Sequence, residues 1–88
     1  MKAVILYRAN SEFARQVEDY VRDYEHTRNE KLETLDVDSV EGANMVKLYD
    51  LPEYPVLLIT ENDGQMVNSW AGTSNFPLMS ELATYLQS

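Results

Sequence analysis

Few residues in this chain could carry out chemistry, and their spacing narrows the choice further. The single histidine, His26, falls near the end of a helical stretch, where a partial positive charge suits the helix dipole. As a base it would lack a nucleophile. Asp36 and Asp38 share a strand face by the two-residue period and could offer oxygens to a hard cation. One such pair is too few ligands for a calcium site, and Asp38 also suits a helix cap, so no metal is expected. "ENDG" at 61–64 has residue types found in calcium loops, but a hairpin turn calls for the same ones. Ser11 is the hydroxyl with the most suggestive position. It follows a strand and opens a helix, where free N–H groups and the positive end of the dipole favour an anionic or polar ligand. The simpler role for that serine is to cap the helix.

Composition excludes more than it offers. The chain has no cysteine, so disulfides, thiolate-bound zinc, iron–sulfur clusters and thiol catalysis are all ruled out. Fifteen acidic against seven basic residues give a net charge of −8, which repels phosphate backbones, and no nucleic-acid partner is expected. Every Lys and Arg lies at or before Lys47, leaving Asp50, Glu53, Glu61, Asp63 and Glu81 without a cation nearby in sequence. With 44% hydrophobic and 25% charged residues the chain has the composition of a soluble globular protein. No apolar run approaches the roughly 20 residues of a membrane helix. "MKAVILYR" has too short an apolar run for a signal peptide, and reads as the first strand of a cytoplasmic protein. The 88 residues suffice for one domain, 1–88, with a single modest core.

The elements that would position these groups are marked by periodicity. "AVILY" at 3–7 is a continuous apolar run, as expected of a strand buried on both faces. Phe13, Val17, Tyr20, Val21 and Tyr24 then follow helical spacing, with Asn10 or Ser11 as cap and Glu18 and Arg22 as an exposed pair. "KLETLDV" at 31–37 predicts a second strand. A short helix follows, capped by Asp38 or Ser39, with Val40, Ala43, Val46 and Tyr49 on its apolar face and Gly42 weakening it. "PVLLIT" and "QMVNSW" predict a hairpin, closed by a two-residue type I′ turn at Asp63-Gly64. The last helix is expected to be capped by Ser74 or Asn75, with Pro77 in its first turn and Leu78, Leu82, Tyr85 and Leu86 facing inward. The fold class is therefore α/β, with element order β-α-β-α-β-β-α. The first two strands should be parallel through a right-handed crossover, and the last two antiparallel. A mixed four-stranded sheet of order 2-1-3-4 follows, with helices on both faces and the two continuous apolar runs in the middle.

In this order of elements the chain resembles the thioredoxin-like superfamily, close to a minimal glutaredoxin outline that lacks Cys-x-x-Cys. "YRANSEFAR" stands where that family has its strand-to-helix loop and cysteines, so Ser11 matches the first cysteine and Ala14 the second. "LYDLPEYPVLLI" resembles the family's helix, loop and proline-led strand, which implies a cis Tyr54–Pro55 bond facing the Ser11 loop. "SWAGTSNF" resembles the end of the last strand, with its glycine at Gly72.

The resemblance also sets functional expectations. A serine cannot cycle between reduced and oxidised forms, so no thiol–disulfide oxidoreductase activity, and no catalytic residue, is expected. The family's groove would instead bind a protein or peptide, with Arg8, Ser11, Phe13, Tyr54, Pro55, Thr73 and Ser74 as its contact residues. Phe13 and Tyr54 would form an apolar rim, although Phe13 also lies on the core stripe of its helix. Pairing along an edge strand is the other route to a partner. "QMVNSW" has no charge to discourage it, so the chain is expected to be a monomer or an edge-strand homodimer. No cofactor is expected under this reading. The alternative is a glutathione-binding or transferase-like protein in which Ser11 stabilises a bound thiolate and Arg8 meets a glutathione carboxylate. Against it, 88 residues cannot supply the helical second domain of such transferases, and only Thr73, Ser74 and Asn75 stand where the γ-glutamyl group would bind.

Overall fold

A computed structural model describes residues 1–87. Strand β1 spans Lys2–Tyr7, helix α1 Ala14–Arg28, strand β2 Glu33–Asp36 and helix α2 Val40–Leu48. Strands β3 (Val56–Thr60) and β4 (Met66–Ala71), a single 3-10 turn (Thr73–Asn75) and helix α3 (Met79–Leu86) complete the chain. The sheet order is β2-β1-β3-β4. β1 and β2 are parallel, and β3 runs antiparallel to both β1 and β4.

All five residues of β3 are buried because both faces of the sheet are covered. On one face Ala3, Ile5, Leu57 and Ile59 meet Val17 and Tyr24 of α1 and Leu82 of α3. On the other, Val4, Leu6, Val56 and Leu58 meet Val37 and Leu51, with Met45 and Val46 of α2 packed against them. Each fully buried aliphatic side chain contributes about 1.5–3 kcal/mol relative to exposure, so these two layers carry most of the driving force.

Several local expectations are corrected by the structure. α1 begins at Ala14, so its cap is neither Asn10 nor Ser11 but Phe13, which makes no side-chain bond. Ser11 instead donates its hydroxyl to the Arg8 C=O (2.7 Å), closing a turn directly off β1. Arg22 pairs with Asp19 (2.9 Å) and Asp23 (4.0 Å), not Glu18.

At α2, Ser39 is the cap, its Oγ accepting from the Gly42 N–H at 3.0 Å. Val40 and Ala43 are exposed, because the buried face of this helix is centred on Gly42, which lies against the Asp36 carbonyl at the end of β2. The hairpin turn is not the two-residue type. Glu61 N–H donates to Gln65 C=O (2.8 Å), and Gly64 alone in this loop has a positive φ (92°). The added length is absorbed as a register shift at Ile59/Thr60. Finally, α3 starts at Met79, so Ser74, Asn75 and Pro77 precede it and Leu78, at its cap position, is turned outward (74% exposed). The Pro77 C=O is used elsewhere, accepting the Tyr20 hydroxyl at 2.9 Å.

Candidate functional site

The turn off β1 and the loop before β3 approach one another at one end of the sheet. Between them lies a groove of about 180 Å³ lined by Arg8, Ser11, Phe13, Tyr54 and Pro55. The Tyr54–Pro55 peptide bond is cis, and Pro55 is buried, its C=O accepting from the Gly72 N–H at 2.7 Å. That bond ties the groove to the end of β4. Neither the N–H nor the C=O of Tyr54 has a hydrogen-bond partner among the described residues. The rings of Phe13 (42% exposed) and Tyr54 (38% exposed) form an apolar rim. Phe13 is available for this because α1 starts one residue after it, which takes its ring off the core stripe.

Arg8 leaves the end of β1 and lies over the Tyr54 ring, its guanidinium carbon 5.8 Å from the centroid. Its Nε is also 3.3 Å from Asp38 Oδ2. The guanidinium is thus held on the lip of the groove by an aromatic face and a carboxylate. Ser11 presents a hydroxyl whose proton is already donated to the Arg8 C=O, leaving its lone pairs for a ligand. Ala14, at the position matched to the second cysteine, is buried as the first residue of α1.

Thr73 and Ser74 do not share this groove. They line a separate depression of about 480 Å³ with Gln16, Asp19 and Tyr20, and the Thr73 hydroxyl donates to Gln16 Oε1. They belong to a single 3-10 turn and not to the start of α3, so no long helix directs its N–H groups at a ligand there.

The remaining candidates are placed elsewhere. His26 is exposed in the last turn of α1. Asp36 Oδ1 accepts from the Asp38 N–H at 2.9 Å, and Asp38 pairs with Arg8. Among the described residues no group of three or more His, Cys, Asp and Glu side chains could hold a metal ion. No helix in them is long and apolar enough to cross a membrane.

One feature of the surface has no signal in the sequence. A groove of about 460 Å³ runs between α1 and β2, lined by Tyr7 and Thr34 and by helix residues that include Glu18 and Glu25. The helical period of α1 marks these glutamates as solvated, and nothing local indicates that a groove opens between the helix and β2.

The architecture is a thioredoxin-like fold, in a chain without cysteine. Solved thioredoxins share the architecture at low sequence identity. Thioredoxin 1 from Thermosipho africanus matches with TM-score 0.65 and 15% identity, over 99% of this chain and 91% of that one. Mitochondrial thioredoxin 3 from Saccharomyces cerevisiae matches with TM-score 0.67 and 13% identity, over 97% of this chain and 74% of that one. The germline-specific thioredoxin Deadhead from Drosophila melanogaster matches with TM-score 0.62 and 18% identity, over 98% of this chain and 79% of that one. No protein-family model and no curated protein matches the chain.

Proposed function

We propose that this chain is a redox-inactive thioredoxin-fold module that holds an extended segment of a protein partner in the groove at Ser11, Tyr54 and Pro55. One observation carries the reading: the groove has an apolar rim and an unpaired Tyr54 backbone, yet a serine stands where exchange chemistry would need a thiolate. An extended backbone laid beside Tyr54 would meet one donor and one acceptor, as in strand addition. Phe13 and Tyr54 would cover an apolar side chain of the partner, and Arg8 would meet a carboxylate or carbonyl at the lip.

The test is selection from a displayed library of random heptapeptides, followed by titration of the best synthetic peptide into 15N-labelled protein. Saturable amide shifts centred on Arg8, Ser11, Phe13 and Tyr54, lost in Tyr54→Ala, are expected. Shifts centred elsewhere, or unchanged in that variant, would remove the reading.

Glutathione is the second ligand class, favoured by the guanidinium on the lip of the groove. Titration with reduced glutathione decides between the two. Saturable shifts at Arg8, Ser11 and Tyr54 would make the groove a glutathione site, in which Ser11 accepts rather than donates a hydrogen bond.

A further inference from the structure

The sheet has two outer edges, along β2 and β4, and they differ in what their backbones leave open. On β4 the Ser69 N–H is taken by Asn68 Oδ1 (2.8 Å) and the Ala71 C=O by Asn75 Nδ2 (2.8 Å). A register shift at Ile59/Thr60 also interrupts the ladder near the start of that strand. Two asparagines thus interrupt a row of groups that its uncharged sequence suggests is free, which guards the edge against pairing.

On β2 the phase of the ladder follows from the bond donated by the Val37 N–H to the Tyr7 C=O. Alternate residues of such a strand bond inward, so Glu33, Leu35 and Val37 turn toward β1 while Leu32, Thr34 and Asp36 turn outward. The ends of the outward row are closed internally. Glu25 Oε2 accepts from the Leu32 N–H at 2.9 Å, and the Asp36 C=O accepts from the Ser39 N–H at 3.0 Å and from the Ser39 hydroxyl. Between them the Leu32 C=O, the Thr34 N–H and C=O and the Asp36 N–H have no partner among the described residues. Four consecutive open groups form a short template for one added strand.

The sheet face beside this template is only partly covered, Thr34 and Asp36 being half-buried. Thr34 is in register with Ile5 and Asp36 with Tyr7, on the side packed by α1. The groove between α1 and β2 has Tyr7, Val17, Val21 and Thr34 among its lining residues, with Glu18 and Glu25 on its helical wall. Arg22 also borders it, but its guanidinium is held by Asp19 and Asp23 on its own helix. His26 is exposed at the far end of that wall. Glu18 has no cation within ion-pair distance among the described residues. Burial, then the Glu18 and Asp36 carboxylates, raise the Tyr7 hydroxyl above its ordinary value of 10.0, so their field reaches the groove floor.

We propose that the outer edge of β2 adds an extended segment of a partner protein, with a Lys or Arg of that segment lying beside Thr34 in the groove under α1. The aliphatic stem covers Tyr7 and Val21, and the cation ends between Glu18 and Asp36. A second copy of this chain could make the same backbone bonds about a two-fold axis at Thr34. It would, however, set Thr34 against Thr34, where the cation is to lie, and join two chains of net charge −8. The inference shares with the proposed function only the idea of a protein partner, and uses no residue of the Tyr54 groove.

The probes are two capped heptapeptides, Thr-Val-Thr-Lys-Thr-Val-Thr and the same sequence with Glu for Lys, titrated into 15N-labelled protein. The lysine peptide is expected to give saturable shifts and slowed amide exchange at Thr34 and Asp36, and to bind roughly tenfold more tightly than the glutamate peptide. Thr34→Pro removes an outward N–H without touching the ladder to β1, and should abolish binding. Glu18→Lys, on an exposed helical position, should weaken the lysine peptide and strengthen the glutamate one even if the proline variant fails to fold. Shifts centred on Ser11 and Tyr54 would place the peptides in the other groove and overturn the proposal while leaving that reading intact. Concentration-dependent protection of the Thr34 amide in free protein that sediments as a dimer would give the edge to a second copy. Equal affinity for the two peptides, or no saturable shift with either, would end the proposal.

Discussion

Arg8 lies with its guanidinium carbon 5.8 Å from the centroid of the Tyr54 ring and its Nε 3.3 Å from Asp38. One side chain thereby joins the end of β1, the approach to α2 and the loop before β3. Both charged partners are more than half exposed, at 51% and 61%, so the geometry positions the groove without contributing much to stability.

Arg8→Ala is accordingly expected to change the unfolding free energy by less than about 1 kcal/mol, measured by urea denaturation. The Tyr54 ring resonances should shift in the same variant. Unmoved Tyr54 resonances would mean that the arginine does not rest on the ring in solution.

Gly42→Ala separates helix propensity from packing. In an exposed helix the change gains up to about 1 kcal/mol. Here a Cβ would run into the Asp36 carbonyl and come within 3.1 Å of Ser39 Oγ, so a loss of about 1–3 kcal/mol is expected. A raised melting temperature would show that α2 does not pack against β2 as described.

Leucines of similar hydropathy should differ according to position. Leu57 is fully buried in β3, and Leu57→Ala should cost about 2–5 kcal/mol. Leu48 is 73% exposed at the end of α2, and Leu48→Ser should stay within about 0.5 kcal/mol. Equal losses in chemical denaturation would contradict this arrangement of layers.

Tyr20 gives the fold a dependence on alkaline pH. Burial, followed by the neighbouring Tyr24 and Glu81, pushes its hydroxyl from 10.0 up to about 12. Because the folded value is the higher one, the stabilisation is fully present below pH 10.0 and is lost as pH rises through about 12. Stability should therefore fall over that window, and Tyr20→Phe should make the fall shallower. Tyr7 and Tyr24 are also raised, so it should not vanish. An unchanged slope in the variant would rule out the Tyr20 contribution.

Much of the architecture was legible because it is written in local periodicity. The continuous runs at β1 and β3 could only belong to strands covered on both faces, and the stripe through Val17 and Tyr24 could only belong to a helix on one of them. Strand order followed from those two facts and from the connections. In the groove, Arg8, Ser11, Phe13, Tyr54 and Pro55 come together, whereas Thr73 and Ser74 stand apart because α3 starts farther along than its proline suggested.

What the amino-acid sequence determined alone is the element order, the two-sided burial of the central strands and the want of any thiol, since each depends on residue type and period. Tertiary structure decided which distant side chains close backbone groups: the Tyr20 hydroxyl on the Pro77 C=O and the Tyr49 hydroxyl on the Gly64 C=O. It also decided that Gly42 would face the end of β2 and that a groove would open between α1 and the outer strand. Such outcomes depend on where elements meet, because residue spacing along one element cannot say what stands beside it.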